Sequence, residues 1–199
     1  MVNEAGAPPA QDEIGLMHSS QEGKEPIVKT RTPSPAGHVP SGGVRHYGEH
    51  NFNAERKDPY EVAGKYREPT ECRDCGAVID RGRWEWGTAS PGGEKVVCPA
   101  CRRIRDKLPA GTLVVEGPFA VEHREDLLRL IRKEAERESK EHPMNRLMQL
   151  EDGPERVEVA TTDIHLPRRI GEALQRAYDG VLDITHGQNE YTVRVHWRR

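Results

Sequence analysis

Three observations predict an α+β chain in three parts. Residues 1–69 have the composition of a disordered tail, because Pro, Gly, Ser, Glu and Lys dominate and the apolar residues are scattered. Such a segment buries too little apolar surface to offset the entropy of ordering it. Residues 70–110 hold all 4 cysteines as two matched pairs. Residues 111–199 alternate strand and helix periodicities in the order β-α-β-β-α-β-β. A hydrophobic fraction of 34% against 32% charged residues is thin for a fully globular chain of 199 residues, which again calls for an unstructured part.

The tail is broken by Thr32-Pro33-Ser34-Pro35 and Ser41-Gly42-Gly43. Towards its end Tyr47, Phe52, Tyr60 and Tyr66 interleave with Arg45, Arg56, Lys57, Lys65 and Arg67. Aromatic and basic side chains in a flexible strand can stack on unpaired bases and meet phosphates. They can equally dock on the folded part, and the sequence leaves both open.

The middle part rests on Cys72-Arg73-Asp74-Cys75 and Cys98-Pro99-Ala100-Cys101, separated by 22 residues. A C-x2-C turn aims two sulfurs at one focus, and two such turns make a tetrahedral four-sulfur cage. That donor set suits zinc, with iron as the alternative occupant. The spacing is close to the roughly 15 to 20 residues of a zinc ribbon. Gly76 supplies the positive φ that often follows such a turn. Four protein ligands leave no open position, so the expected zinc is structural. A redox pair needs only one C-x2-C, at a helix start after a strand.

Within 70–110, Arg83-Trp84-Glu85-Trp86 alternates like a strand. Ser90-Pro91-Gly92-Gly93 reads as a hairpin turn that leads to a returning Lys95-Val96-Val97. Trp84 and Trp86 then share a face, either covering the metal or exposed as a platform for a base or partner. After Cys101 the helical stretch Arg102–Leu108 puts Ile104 and Leu108 on one face. Arg102, Arg103, Arg105 and Lys107 surround it, and Pro109 ends it. A basic cluster is often only a solvated face; beside a zinc ribbon it is also a candidate phosphate contact.

In 111–199, Thr112–Glu116 is a strand. A helix over about 122–141 carries the stripe Leu127, Leu128, Ile131 and Ala135, supported on its other side by i,i+4 charge pairs, and Pro143 ends it. A hairpin follows, Arg146–Glu151 and Arg156–Thr161 about Asp152-Gly153-Pro154. A second helix runs from Pro167 to Tyr178 with Ile170, Leu174 and Ala177 inward. A last hairpin pairs Val181–Thr185 with Glu190–Trp197 about His186-Gly187-Gln188-Asn189. This order is that of a ferredoxin-like split β-α-β domain with one strand added. Tyr191, Val193, Val195 and Trp197 should face the helices. Thr192, Arg194, His196 and Arg198 should lie on the open side, as a partner surface or as ordinary solvated sheet.

Residues 72–86 (Cys-x2-Cys-Gly-Ala-Val-Ile-x2-Gly-Arg-Trp-x-Trp), 98–104 (Cys-Pro-Ala-Cys-Arg-Arg-Ile) and 162–171 (Thr-Asp-Ile-His-Leu-Pro-Arg-Arg-Ile-Gly) resemble a family of small bacterial zinc-ribbon proteins. That family is distantly similar to the N-terminal part of the archaeal and eukaryotic Nmd-type adaptor for the large ribosomal subunit. The resemblance implies metal binding at Cys72, Cys75, Cys98 and Cys101, and association with RNA or the ribosome.

No phosphate-binding G-x4-G-K-[ST] loop, G-x-S-x-G elbow or H-E-x-x-H pair is present, so the chain reads as a non-enzyme with no small-molecule substrate. Glu138 with His142, and Asp163 with His165, are better explained as helix-end residues than as catalysts. A net charge of −3 excludes a general polycation, and any nucleic-acid binding must be local. No run approaches the roughly 18 apolar residues of a membrane span, and no signal pattern opens the chain. With the cysteines explained by metal, a cytoplasmic protein is expected. The function expected is RNA or ribosome association through Arg102, Arg103, Arg105, Trp84, Trp86, Arg194, His196 and Arg198. The alternative is a protein–protein adaptor or a redox- or zinc-responsive regulator.

Overall fold

The computed structural model describes residues 43–47, 58–61, 65–89, 91–188 and 190–199. The expectations for residues 1–42, 48–57 and 62–64, and for Ser90 and Asn189 in their turns, lie outside the described residues. The architecture is mixed α+β, built on two sheets that fall within one compact unit.

Part of the segment expected to be tail is ordered. Val44–Tyr47 forms strand β1, and Asp58–Glu61 packs on the helix that follows the second cysteine pair. The smaller sheet comprises β2 (Thr70–Cys72), β3 (Ala77–Asp80), β4 (Arg83–Trp86) and β5 (Glu94–Val96), in the order β4-β3-β2-β5. The hairpin expected between β4 and β5 does not form. Instead β4 pairs antiparallel with β3, and β5 lies at the opposite edge, parallel to β2. The turn decides this. Arg81 and Gly82 both take positive φ, 48° and 78°, the backbone of the tight two-residue turn whose twist matches antiparallel strands. The Glu94 N–H then donates to Pro69 O at 2.9 Å and starts the parallel pairing.

Helix α1 (Pro99–Asp106) turns a member of the basic cluster inward and leaves the shared apolar face of Ile104 and Leu108 outward. Ile104 and Leu108 are exposed at 41% and 56%, whereas Arg103 is 3% exposed. The preceding segment supplies the reason, because Asp58 and Tyr60 cover Arg103 and give its charge a partner.

The larger sheet adds β6 (Gly111–Glu116), β7 (Leu147–Asp152), β8 (Arg156–Thr161), β9 (Val181–His186) and β10 (Val193–Arg198) to β1, in the order β1-β9-β10-β6-β8-β7. The helix expected at about 122–141 is α3 (Arg124–Glu141), and a short helix that was not expected, α2 (Pro118–Glu122), precedes it, with His123 between the two. The second long helix, α4, spans His165–Tyr178, and its Ala177 is exposed rather than inward. β6 and β7 flank β8, both antiparallel to it, which makes β6-α3-β7 a split β-α-β unit. An antiparallel ferredoxin-like sheet would place β9 beside β6. Here β10 sits between them, antiparallel to β9 and parallel to β6. The inward row of β10 includes Trp197, fully buried with its indole N–H donating to Asp179 O at 2.9 Å, and a central position gives that ring cover on both sides.

Alternation along β10 is as expected: Val193, Val195 and Trp197 are buried, and Arg194, His196 and Arg198 lie on the other face. α3 buries Leu127, Leu128, Ile131 and Ala135, each large aliphatic side chain contributing roughly 1.5 to 3 kcal/mol. It also buries Glu138, which pairs with Arg169 at 2.6 Å. α4 approaches the sheet closely because Gly171 has no side chain. A Cβ there would lie 2.7 Å from Leu182 Cδ1 and 2.9 Å from Val195 Cγ1. Among the described residues no helix is long and apolar enough to cross a membrane.

Candidate metal centre

Cys72 ends β2, and the chain turns back through Cys75. Gly76 closes the turn at φ 76°, its N–H donating to Cys72 O at 2.8 Å. Cys98 caps α1. Pro99 follows at the first helical position, where no N–H is required, and the Cys101 N–H donates to Cys98 Sγ at 3.4 Å. The Cys98 N–H donates across to Cys72 Sγ at 3.3 Å. β2 and β5 run in parallel, so both turns open at the same end of the small sheet.

All four sulfurs lie within 4.8 Å of one another, with Cys72–Cys101 at 3.9 Å and Cys75–Cys98 at 3.8 Å. A disulfide requires about 2.0 Å, so these are four separate thiols. Metal–sulfur bonds of about 2.3 Å in a tetrahedron imply an edge of about 3.8 Å. The four residues therefore fit a four-sulfur metal site.

Cys72 and Cys98 are fully buried with Ala77 and Ala100, and Cys75, Cys101, Trp84 and Met144 close the cluster. Tyr66 meets Trp84 edge-on, ring centroids 5.2 Å apart. Burial opposes ionisation of the sulfurs. At Cys72 it is outweighed by the N–H groups of Cys98, Asp74 and Cys75, which draw the thiol down to about 7. At Cys98 burial wins and the thiol is pushed well up. Cys101 is pushed up to about 11 by burial, against the pull of Arg146.

Arg146 is the residue that the sequence did not single out for this site. It stands in the connection between α3 and β7, yet its Nη2 donates to Cys75 Sγ at 3.1 Å and to Cys98 Sγ at 3.5 Å, and its Nη1 donates to Cys101 Sγ at 3.5 Å. The guanidinium also lies 5.6 Å from the Trp86 ring centroid. Nothing in its local sequence marks it, because the contact spans 45 residues or more.

The other expected site residues divide. Trp84 packs on the cysteine cluster. Trp86 lies further along the strand and is 44% exposed, its indole N–H donating to Ser139 O at 2.6 Å near the end of α3. Arg103 is not available to a phosphate: it pairs with Asp58 at 2.5 Å, donates to Leu108 O at 3.2 Å and stacks on Tyr60 at 4.4 Å. Arg102 donates to Tyr60 O. Arg105 is exposed beside Asp106 at 3.3 Å. Arg194, His196 and Arg198 sit on the open face of the larger sheet. There Glu116 meets His196 at 2.8 Å, and Asp183 meets Arg198 at 3.3 Å and Arg45 at 3.6 Å. Asp163 caps α4, accepting from the N–H groups of His165 at 2.6 Å and Leu166 at 3.0 Å.

The chain matches no protein-family model, no curated protein and no solved structure.

Proposed function

We propose that this chain is a non-enzymatic zinc protein that associates with RNA or a ribonucleoprotein, the ribosome being the candidate. The observation that carries the reading is the cage of four cysteine sulfurs within 4.8 Å of one another, two of them on fully buried residues. Zinc suits it because a filled d shell accepts a tetrahedron of thiolates without geometric preference. Four protein ligands also make a closed structural site, in which the ion holds the small sheet together. Arg45, Arg194, His196 and Arg198 supply a basic strip on the open sheet face, and Arg105 an exposed cation on α1. The resemblance of 72–86, 98–104 and 162–171 to the bacterial zinc-ribbon family points the same way.

A protein–protein adaptor is the second reading. It is favoured by the pairing of the open-face cations with Asp183 and Glu116 and by the inward turn of Arg102 and Arg103, which leave a surface of mixed charge.

Elemental analysis of the purified protein, combined with density-gradient sedimentation from native lysate with and without ribonuclease, tests both levels. One zinc per chain and nuclease-sensitive co-migration with a ribosomal subunit are expected, the latter lost at high salt. A metal-free, folded protein would sink the zinc assignment. Zinc-loaded protein that stays at the top of the gradient, unmoved by nuclease, would replace RNA with a protein partner.

A further inference from the structure

We propose that Arg146 is the outer-sphere charge partner of the metal centre, so that ion loading locks the small sheet onto the α/β platform. This rests on the metal-binding reading above and concerns what that site does to the rest of the fold.

Four thiolates around a divalent ion leave two negative charges in a buried cluster. A single guanidinium reaches three of the four sulfurs, at 3.1, 3.5 and 3.5 Å. N–H groups on thiolate sulfur both stabilise the charge and fix the direction of the lone pairs, which is how outer-shell partners tune metal sites. The donor comes from the other sheet's side of the molecule, and it is held firmly there. Its Nε donates to Pro143 O at 2.5 Å. Its backbone N–H donates to Thr162 Oγ1 at 2.9 Å, and the Thr162 N–H returns a bond to Arg146 O at 3.0 Å. Thr162 adjoins Asp163, the cap of α4, and neighbouring Asn145 reaches the buried Glu138, which pairs with the exposed Arg169. The guanidinium is therefore fixed to the end of α3, the start of β7 and the start of α4. Trp86, anchored to Ser139 O, forms the second wall.

A filled cage would hold its sulfurs at fixed places, so a guanidinium that reaches three of them makes those bonds as a set. Metal binding and docking of the two sheets therefore strengthen each other, by the same factor in both directions. No contact between the ion and the α/β platform is needed; the arginine carries the coupling.

The test uses the full chain, zinc competed against a chromophoric chelator, and cobalt(II) as a spectroscopic substitute. Arg146→Met keeps the aliphatic stem and removes the donors, and it should weaken zinc binding roughly 10- to 100-fold. It should also shift the sulfur-to-cobalt charge-transfer band, which loss of packing alone would leave in place. Hydrogen exchange at the Arg146 and Thr162 amides should slow on loading in the wild type and not in the variant. Arg146→Lys retains a charge but cannot fork to three sulfurs, so it should fall between the two. Should Arg146→Met fail to fold, the lysine variant decides, and affinity and cobalt spectrum equal to wild type overturn the proposal. The same follows if the methionine variant binds zinc within about threefold of wild type with an unshifted band. A wild-type protein that binds neither ion removes the metal reading and this inference with it; a wild type that binds beside unaffected variants removes the inference alone.

Discussion

Arg103→Ala separates an internal arginine from a nucleic-acid contact. Its side chain is 4% exposed, and the guanidinium bonds Asp58 at 2.5 Å and Leu108 O at 3.2 Å, with the Tyr60 ring at 4.4 Å. Removing one partner of a buried pair costs about 3 to 5 kcal/mol, because the other charge is stranded. Asp58 keeps 18% exposure and can partly rehydrate, which places the expectation near the lower end, about 3 kcal/mol. The lost contact with the Tyr60 ring, on the order of 1 kcal/mol, is already partly contained in that figure. With a urea slope of about 1 to 3 kcal/mol/M, the unfolding midpoint of the zinc-loaded full chain should fall by roughly 1 to 3 M. The cycle with Asp58→Ala should return a coupling of about 1 to 2 kcal/mol. Arg105→Ala, at an exposed position, should change stability by less than about 0.5 kcal/mol. A stability within about 0.5 kcal/mol of wild type for Arg103→Ala, accompanied by weaker RNA binding, would refute the assignment of Arg103 to the interior.

Two further outcomes follow from single contacts. Burial raises the Asp163 carboxyl above its ordinary range, so the folded state holds this proton more tightly than the unfolded state. The resulting contribution is present at low pH and is lost as pH rises from about 4 through the raised value. Asp163→Asn keeps both capping bonds without the buried charge. Its stability relative to wild type should therefore improve between pH 4 and 7 in urea titrations, and a relative loss that grows with pH would contradict this. Gly171→Ala should gain about 1 kcal/mol of helix propensity but place a methyl 2.7 Å from Leu182 Cδ1 and 2.9 Å from Val195 Cγ1. Those buried methyls have little room to withdraw, so a net loss of about 1 to 2 kcal/mol and a Tm lower by about 3 to 6 °C are expected by calorimetry. An unchanged or raised Tm would show that α4 can lift from the sheet at little cost.

What the amino-acid sequence determined by itself is everything that repeats over a short window. The two C-x2-C turns required only local backbone, and Gly76 adopted the positive φ expected of it. Period-two alternation placed Val193, Val195 and Trp197 inward, and period 3.6 placed Leu127, Leu128, Ile131 and Ala135. Tertiary structure alone decided which strand lies beside which. β4 chose β3 through a tight turn at Arg81-Gly82 that competed with the glycine-rich stretch after it. β10 took the place beside β6 because its inward row, Trp197 above all, has the most to bury. Tertiary structure also decided the fate of the charges. Arg103 belongs to a basic run by sequence, yet Asp58, 45 positions earlier, makes it internal. Arg146 stands at the head of a hairpin by sequence, yet the fold aims it at three sulfurs. Periodicity is a property of neighbouring residues and survives without the fold. The partner of a buried charge is set by desolvation and distance, and those exist only once the chain has closed around it.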